Sequence, residues 1–177
     1  MKRIVKYFIL CSLMSFSFLS IKAQSYTSQE IKAAFVCNFA KFTNWPSAKQ
    51  NQNSDLIIGI IGSHDFGNSL EELAKNINIS NRKIRVVYYS NPLNAVSADI
   101  LYIGVLSPSY DLKKLLSLYA QSDVLTISEQ NNFCQNGGMI NFSKEQTTYG
   151  FEINTAYSSL TNLTFSAKLL KLATLVK

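Results

Sequence analysis

The sequence predicts an α/β fold: a mostly parallel sheet with helices on both faces, finished by an antiparallel hairpin near the C-terminus. Three observations predict it. Leu56-Ile57-Ile58-Gly59-Ile60-Ile61 is a continuous apolar run between turn residues, as in a central strand covered on both faces. Strand-like and helix-like segments then alternate along the chain. Two strand-like stretches, 138–142 and 149–153, lie close enough in sequence to pair as a hairpin.

The elements follow in order. Residues 28–45 read as a helix that Ser28 can cap and Pro46 stops. Ile31, Phe35, Asn38, Phe42 and Trp45 fall on one helical stripe, which should pack on the sheet. Asn38 inside that stripe should be buried, and then needs hydrogen-bond partners. The other side carries Ala33, Val36, Cys37 and Ala40, small or apolar residues that would be odd facing water. They are therefore candidates for a protein interface, with a twin subunit or a membrane partner. The competing cover is the C-terminal helix of the same chain. After the 56–61 strand, Leu70, Leu73, Ala74 and Ile77 recur at helical spacing. Residues 84–89 and 100–105 are strand-like. Residues 110–121 form an amphipathic helix with Leu112, Leu115, Leu116 and Tyr119 on one face, and 124–128 is another strand. A C-terminal amphipathic helix should start at Ser166, with Leu169, Leu170, Leu172, Ala173 and Val176 along one side. Such alternation is the doubly wound pattern of flavodoxin- and Rossmann-like sheets.

Ahead of these elements stands a leader. Lys2, Arg3 and Lys6 precede an uncharged run from 7 to 21, and Ile21-Lys22-Ala23 closes it. Basic start, apolar centre and a small residue before the cut describe a secretory signal peptide, cleaved after Ala23. The run is shorter than the roughly 20 residues of a membrane span. Residues 24–177 should then form one exported domain. The leader holds four of the 17 Lys and Arg and no acid, so 13 bases face 11 acids in the remainder, a net charge of +2. The high pI belongs largely to the leader and gives no support for nucleic-acid binding. Cys37 and Cys134 survive processing; two cysteines without CxxC spacing make neither a disulfide framework nor a redox or zinc centre.

Catalytic chemistry is sparse. His64, the only histidine, follows the first sheet strand, where open α/β sheets tend to bind ligands. With Ser63, Asp65 and Ser107 it could line a cleft at the carboxyl end of the sheet. No GxSxG elbow, GxGxxG fingerprint or Walker lysine is present. Ser80-Asn81-Arg82-Lys83 matches SxxK by letter but precedes a strand, so it is a chance match. Glu152 alternates with Phe151 and Ile153 and is a candidate buried acid. Motifs and composition give no enzyme, no cofactor and no metal.

A series of short strings carries more. Lys32-Ala33-Ala34-Phe35 leads to Asn38-Phe39-Ala40-Lys41-Phe42 and Trp45-Pro46; then come Asp65-Phe66-Gly67, Ala98-Asp99-Ile100-Leu101-Tyr102-Ile103, Gly137-Gly138-Met139-Ile140-Asn141-Phe142, Phe151-Glu152-Ile153-Asn154, and Ser166 with Lys168-Leu169-Leu170. In joint order they resemble the YfiR family of exported bacterial proteins, from residue 29 to 176. The resemblance implies a compact periplasmic α/β domain without enzymatic activity, often dimeric. It implies repression of an inner-membrane diguanylate cyclase through its periplasmic part, and an outer-membrane lipoprotein that sequesters the repressor. Elsewhere in the family the partner can be a sensor kinase. It marks Asn38, Trp45, Gly138, Glu152 and Asn154 as structural motif positions; Gly137-Gly138 can simply permit a tight entry into the hairpin. Close relatives keep a disulfide near the Gly-Gly-Met segment, and Cys134 has no second cysteine nearby. The leading expectation is a periplasmic regulator of a membrane signalling protein acting by protein contact. The alternative is a periplasmic small-ligand receptor.

Overall fold

The computed structural model describes residues 25–46, 54–62, 64–108, 110–145, 148–158 and 160–176. The expected leader and Ser63 lie outside the described residues. The chain runs through α1 (Ser28–Phe42), β1 (Thr43–Asn44), β2 (Leu56–Ile61), α2 (Gly67–Asn76), β3 (Asn78–Ile79) and β4 (Arg82–Tyr89). A 3-10 turn (Pro92–Ser97), β5 (Ile100–Ile103), α3 (Leu112–Ser117), β6 (Leu125–Ser128) and β7 (Ile140–Glu145) follow. The last elements are β8 (Thr148–Asn154), α4 (Thr155–Ser158), β9 (Thr164–Phe165), α5 (Ala167–Leu170) and β10 (Thr174–Val176).

Eight strands form one curled sheet in the order β10-β8-β7-β6-β5-β2-β4-β3. The strands β4, β2, β5, β6 and β7 run parallel to one another. The β3–β4 and β7–β8 pairs are antiparallel, and β10 returns parallel to β8. The sheet is therefore mixed rather than wholly parallel. The 138–153 hairpin is present, but β10 flanks it and takes the edge. Helices α1 and α2 cover one face over Ile58, Ile60, Ile100, Tyr102 and Ile127. The 3-10 turn and α3 cover the other over Ile61, Leu101, Ile103 and Val124.

Helix α1 starts on a full capping box: the Thr27 hydroxyl accepts from Glu30 N, and Glu30 Oε2 accepts from Thr27 N at 2.7 Å. It stops at Thr43, whose hydroxyl donates to Phe39 O at 2.7 Å as the chain turns into β1. Its buried face is Lys32, Ala33, Val36, Cys37, Phe39 and Ala40. This corrects two expectations. The interface candidates Ala33, Val36, Cys37 and Ala40 are between 0% and 6% exposed and sit in the core of their own chain. Their small size lets α1 lie close against the sheet and α2, so internal packing uses the surface expected to meet a partner. Asn38 lies about 200° around the helix from Val36 and faces solvent. Ile31, Phe35 and Phe42 occupy the margin, half-buried, and Phe35 contacts Phe39, Phe142 and Phe151 with ring centroids 5.8–5.9 Å apart. Trp45 is buried in the same core.

The C-terminus differs too. The expected long helix is a four-residue turn, α5, after which Thr174-Leu175-Val176 pairs in register with Glu152-Ile153-Asn154. Its apolar spacing fits either structure; pairing with β8, remote in sequence, decides. The helix expected at 110–121 is only Leu112–Ser117, capped by Asp111, whose Oδ1 accepts from Lys114 N at 3.2 Å.

A buried ion pair fastens the amino ends of the parallel strands. Arg82 Nη2 donates to Asp99 Oδ2 at 2.7 Å, both residues being at most 6% exposed. Asp99 Oδ2 also accepts from Ile57 N at 2.9 Å, and Arg82 donates to the carbonyls of Ser54 and Asp55. Bonds of this number satisfy charges that would otherwise be costly to bury. Ser80 and Asn81, both with positive φ, make the tight turn between β3 and β4, so the SxxK string is a turn followed by this structural arginine.

Candidate functional site

Strands β2, β5 and β6 end on the opposite side of the sheet, and there a polar cleft of about 730 Å³ opens. Ser28 and Lys32 come from the first turns of α1, Asp65 from the loop after β2, and Glu129 from the end of β6. The turn at 131–135 supplies Asn131, Asn132 and Gln135. The hairpin supplies Asn141, Phe142 and Ser143 from β7 and Tyr149 and Glu152 from β8. Beyond the register Ser128↔Asn141, β7 runs on past the end of β6 and forms a wall.

Lys32 organises the floor. Its side chain is 7% exposed, and Nζ lies 2.9 Å from Asp65 Oδ1 and 2.9 Å from Glu129 Oε2. Burial alone would lower the Lys32 ammonium; hydrogen bonds and charge from Glu129 and then Asp65 outweigh it and hold the group above its ordinary range. Glu129 Oε1 also accepts from the Tyr102 hydroxyl at 2.7 Å. Burial first, and then the Glu129 carboxylate, push the Tyr102 phenol well above its usual range, so it stays a donor. At the mouth, the Ser28 and Tyr149 hydroxyls are in hydrogen-bond contact, joining α1 to the hairpin.

The sequence-derived cleft is only partly assembled. Asp65 lines it, whereas His64 is half-buried with its ring stacked on Tyr88, centroids 5.4 Å apart. Ser107 is exposed and outside the lining. Of the motif positions, Glu152 is half-buried and lines the cleft. Asn154 is buried and donates to Cys134 O at 2.7 Å, while its backbone N–H donates to Met139 O. Gly138 is where the Phe133 ring lies against the backbone: a Cβ there would stand 2.1 Å from Phe133 Cε1. Gly137, at φ 104°, takes the turn that only glycine adopts freely. Cys37 and Cys134 are both buried free thiols, each pushed up to about 12 by burial. Sequence reasoning missed Lys32 as a site residue, together with Glu129, Tyr102 and Tyr149. One signal existed for Lys32, a lysine among the small residues of the face that proved buried.

The arrangement holds charge and offers hydrogen bonds. Among the described residues no group of three His, Cys, Asp or Glu is placed to hold a metal ion.

Comparison with known proteins adds the family. A model described as YfiR/HmsC-like matches residues 29–174. No curated protein sequence matches the chain. Among solved structures, a conserved domain protein from Vibrio cholerae O1 biovar eltor strain N16961 is similar at a TM-score of 0.53 and 12% identity, over 87% of this chain. The match spans 62% of that protein's chain, and at this identity the likeness shows the fold alone. Among the described residues no helix is long and apolar enough to cross a membrane. With its family model spanning all but the ends, the chain belongs to the YfiR/HmsC-like family, whose members are periplasmic regulators rather than catalysts.

Proposed function

We propose that this protein is an exported repressor of an inner-membrane signalling protein, a diguanylate cyclase or a sensor kinase, acting by contact with the periplasmic part of that partner. The family match across residues 29–174 carries this reading. An outer-membrane lipoprotein is the second partner, and self-association into a dimer accompanies regulation. Since Ala33, Val36, Cys37 and Ala40 are core residues, contact falls to exposed apolar side chains such as Val105, Leu160 and Leu172. The tagged chain beginning at Gln24 should capture one inner-membrane protein with a periplasmic sensor region and a cytosolic output domain from detergent-solubilised envelope. Deleting the gene should raise that partner's output. Unchanged output on deletion sinks the repressor reading, and a chain still carrying residues 1–23 in the membrane fraction sinks the cleavage after Ala23.

The polar cleft favours a second, compatible reading: a small-ligand receptor whose occupancy sets affinity for the partner. Its volume of about 730 Å³ lies within the ordinary range for ligand pockets.

A further inference from the structure

The strongest unexplained feature of the cleft is a pair of acceptors facing each other. Asn141 is 8% exposed. Its amide is oriented by its partners: with Nδ2 toward the sheet it donates to Ser128 O at 3.0 Å and Gln130 O at 3.2 Å. The reverse orientation would leave Oδ1 against those two carbonyls in exchange for one long 3.5 Å bond from Nδ2 to Glu152 Oε2, so the first is adopted. Asn141 Oδ1 then occupies the position 3.5 Å from Glu152 Oε2. Two acceptors at this separation repel unless a donor sits with them, and among the described residues no cation pairs with Glu152. The field of the cleft points the same way. Its lining carries one ammonium, Lys32, against three carboxylates, Asp65, Glu129 and Glu152. Lys32 is already engaged by two of them, which leaves a net charge of −2 and Glu152 unneutralised. Hydroxyls and amides make up most of the remaining wall, suited to a ligand rich in hydrogen-bonding groups.

We propose that the cleft binds an organic cation, its ammonium or guanidinium group seated between the Glu152 carboxylate and Asn141 Oδ1. The inference rests on the small-ligand reading of the cleft and names the ligand class. A cation there donates to both acceptors at once, in charge-assisted bonds stronger than neutral ones. The group can belong to a free amine or to a lysine or arginine side chain presented by another protein.

Calorimetric titration of the chain beginning at Gln24 tests this with spermidine, arginine amide, a short Lys/Arg-bearing peptide, and glutarate as the anionic probe. The expected result is binding of the cations, weakening as salt rises, with no binding of glutarate. Glu152→Gln, folded as wild type by circular dichroism, should bind them about tenfold or more weakly. Binding of the free amines identifies a small-molecule site; binding of the peptide alone identifies a socket for a basic side chain. If Glu152→Gln fails to fold, the contrast between cations and glutarate on the native chain decides. Glutarate bound in place of the cations overturns the ligand class while keeping the cleft a receptor. No binding by any probe overturns both.

Discussion

At Gly138 the absence of a side chain is the structural content of the residue. The ring of Phe133 lies where a Cβ would project, and Gly138 N–H donates to Phe133 O at 2.9 Å, so ring and backbone close together. Gly138→Ala should destabilise the fold by about 1–3 kcal/mol, the usual cost of forcing extra volume into a packed site. A denaturant midpoint equal to wild type would mean that the ring moves aside without strain. The sequence announced a tight passage at Gly137-Gly138 but not the ring, since Phe133 is brought there by a turn with its own local bonds. Asn38 shows the reverse. Its stripe of large apolar neighbours argued for burial, yet α1 is apolar on most sides, and only the packing of α2 and the sheet selects the inner one. Site legibility divides likewise. Asp65 could be read as the loop after the first sheet strand, while Glu129, Tyr149 and Lys32 meet only after five elements have been placed.

Helix α1 is the element on which the two readings of the first segment diverge. Its small residues sit at 0–6% exposure inside the chain, so Val36→Glu places an unpaired charge in the core. The variant should lose its cooperative transition, with a cost of about 4 kcal/mol or more. A variant with the circular dichroism of wild type that loses only dimerisation or partner capture would return this face to the surface. Strand elements were more legible than helices. A continuous apolar run bounded by turns located β2 to the residue, because six residues rich in β-branched isoleucine suit a strand covered on both faces better than a helix. Short helices were over-extended: α3 ends at Ser117, and the C-terminal helix is replaced by α5 and β10. Amphipathic spacing extends past both, but local spacing carries no information about a distant strand.

For the whole molecule, buried ionisable groups set the response to pH. Burial pushes the Cys37 and Cys134 thiols from 9.0 up to about 12, with the Glu152 charge adding to the effect at Cys134. Burial likewise pushes the Tyr119 phenol from 10.0 to about 12. Each folded group holds its proton more tightly than the unfolded one. Their contribution is therefore complete below pH 9 and is lost as pH rises from 9 to 12. Lys32, raised by Glu129 and Asp65 against burial, contributes fully below 10.5 and loses its share as pH climbs through its raised value. All four have the same sign, so urea midpoints should fall steadily on the alkaline side above pH 9, and a flat profile to pH 11 would contradict the burial of these groups. The pairing of β1 with β9 bears on how the molecule comes into being. It joins Thr43 to Phe165 and Asn44 to Thr164, and Ser166 N–H closes on Phe42 O at 2.9 Å. The end of α1 is thus clasped by residues far downstream of it in the sequence. Until they are in place, Phe42 and the end of α1 lack their cover, and such apolar surface favours aggregation. Seating of α1 therefore depends on the segment that carries Thr164, Phe165 and Ser166. A chain truncated after Ser158 should show no cooperative melting, and a truncation that melts as sharply as the full chain would show the clasp to be dispensable.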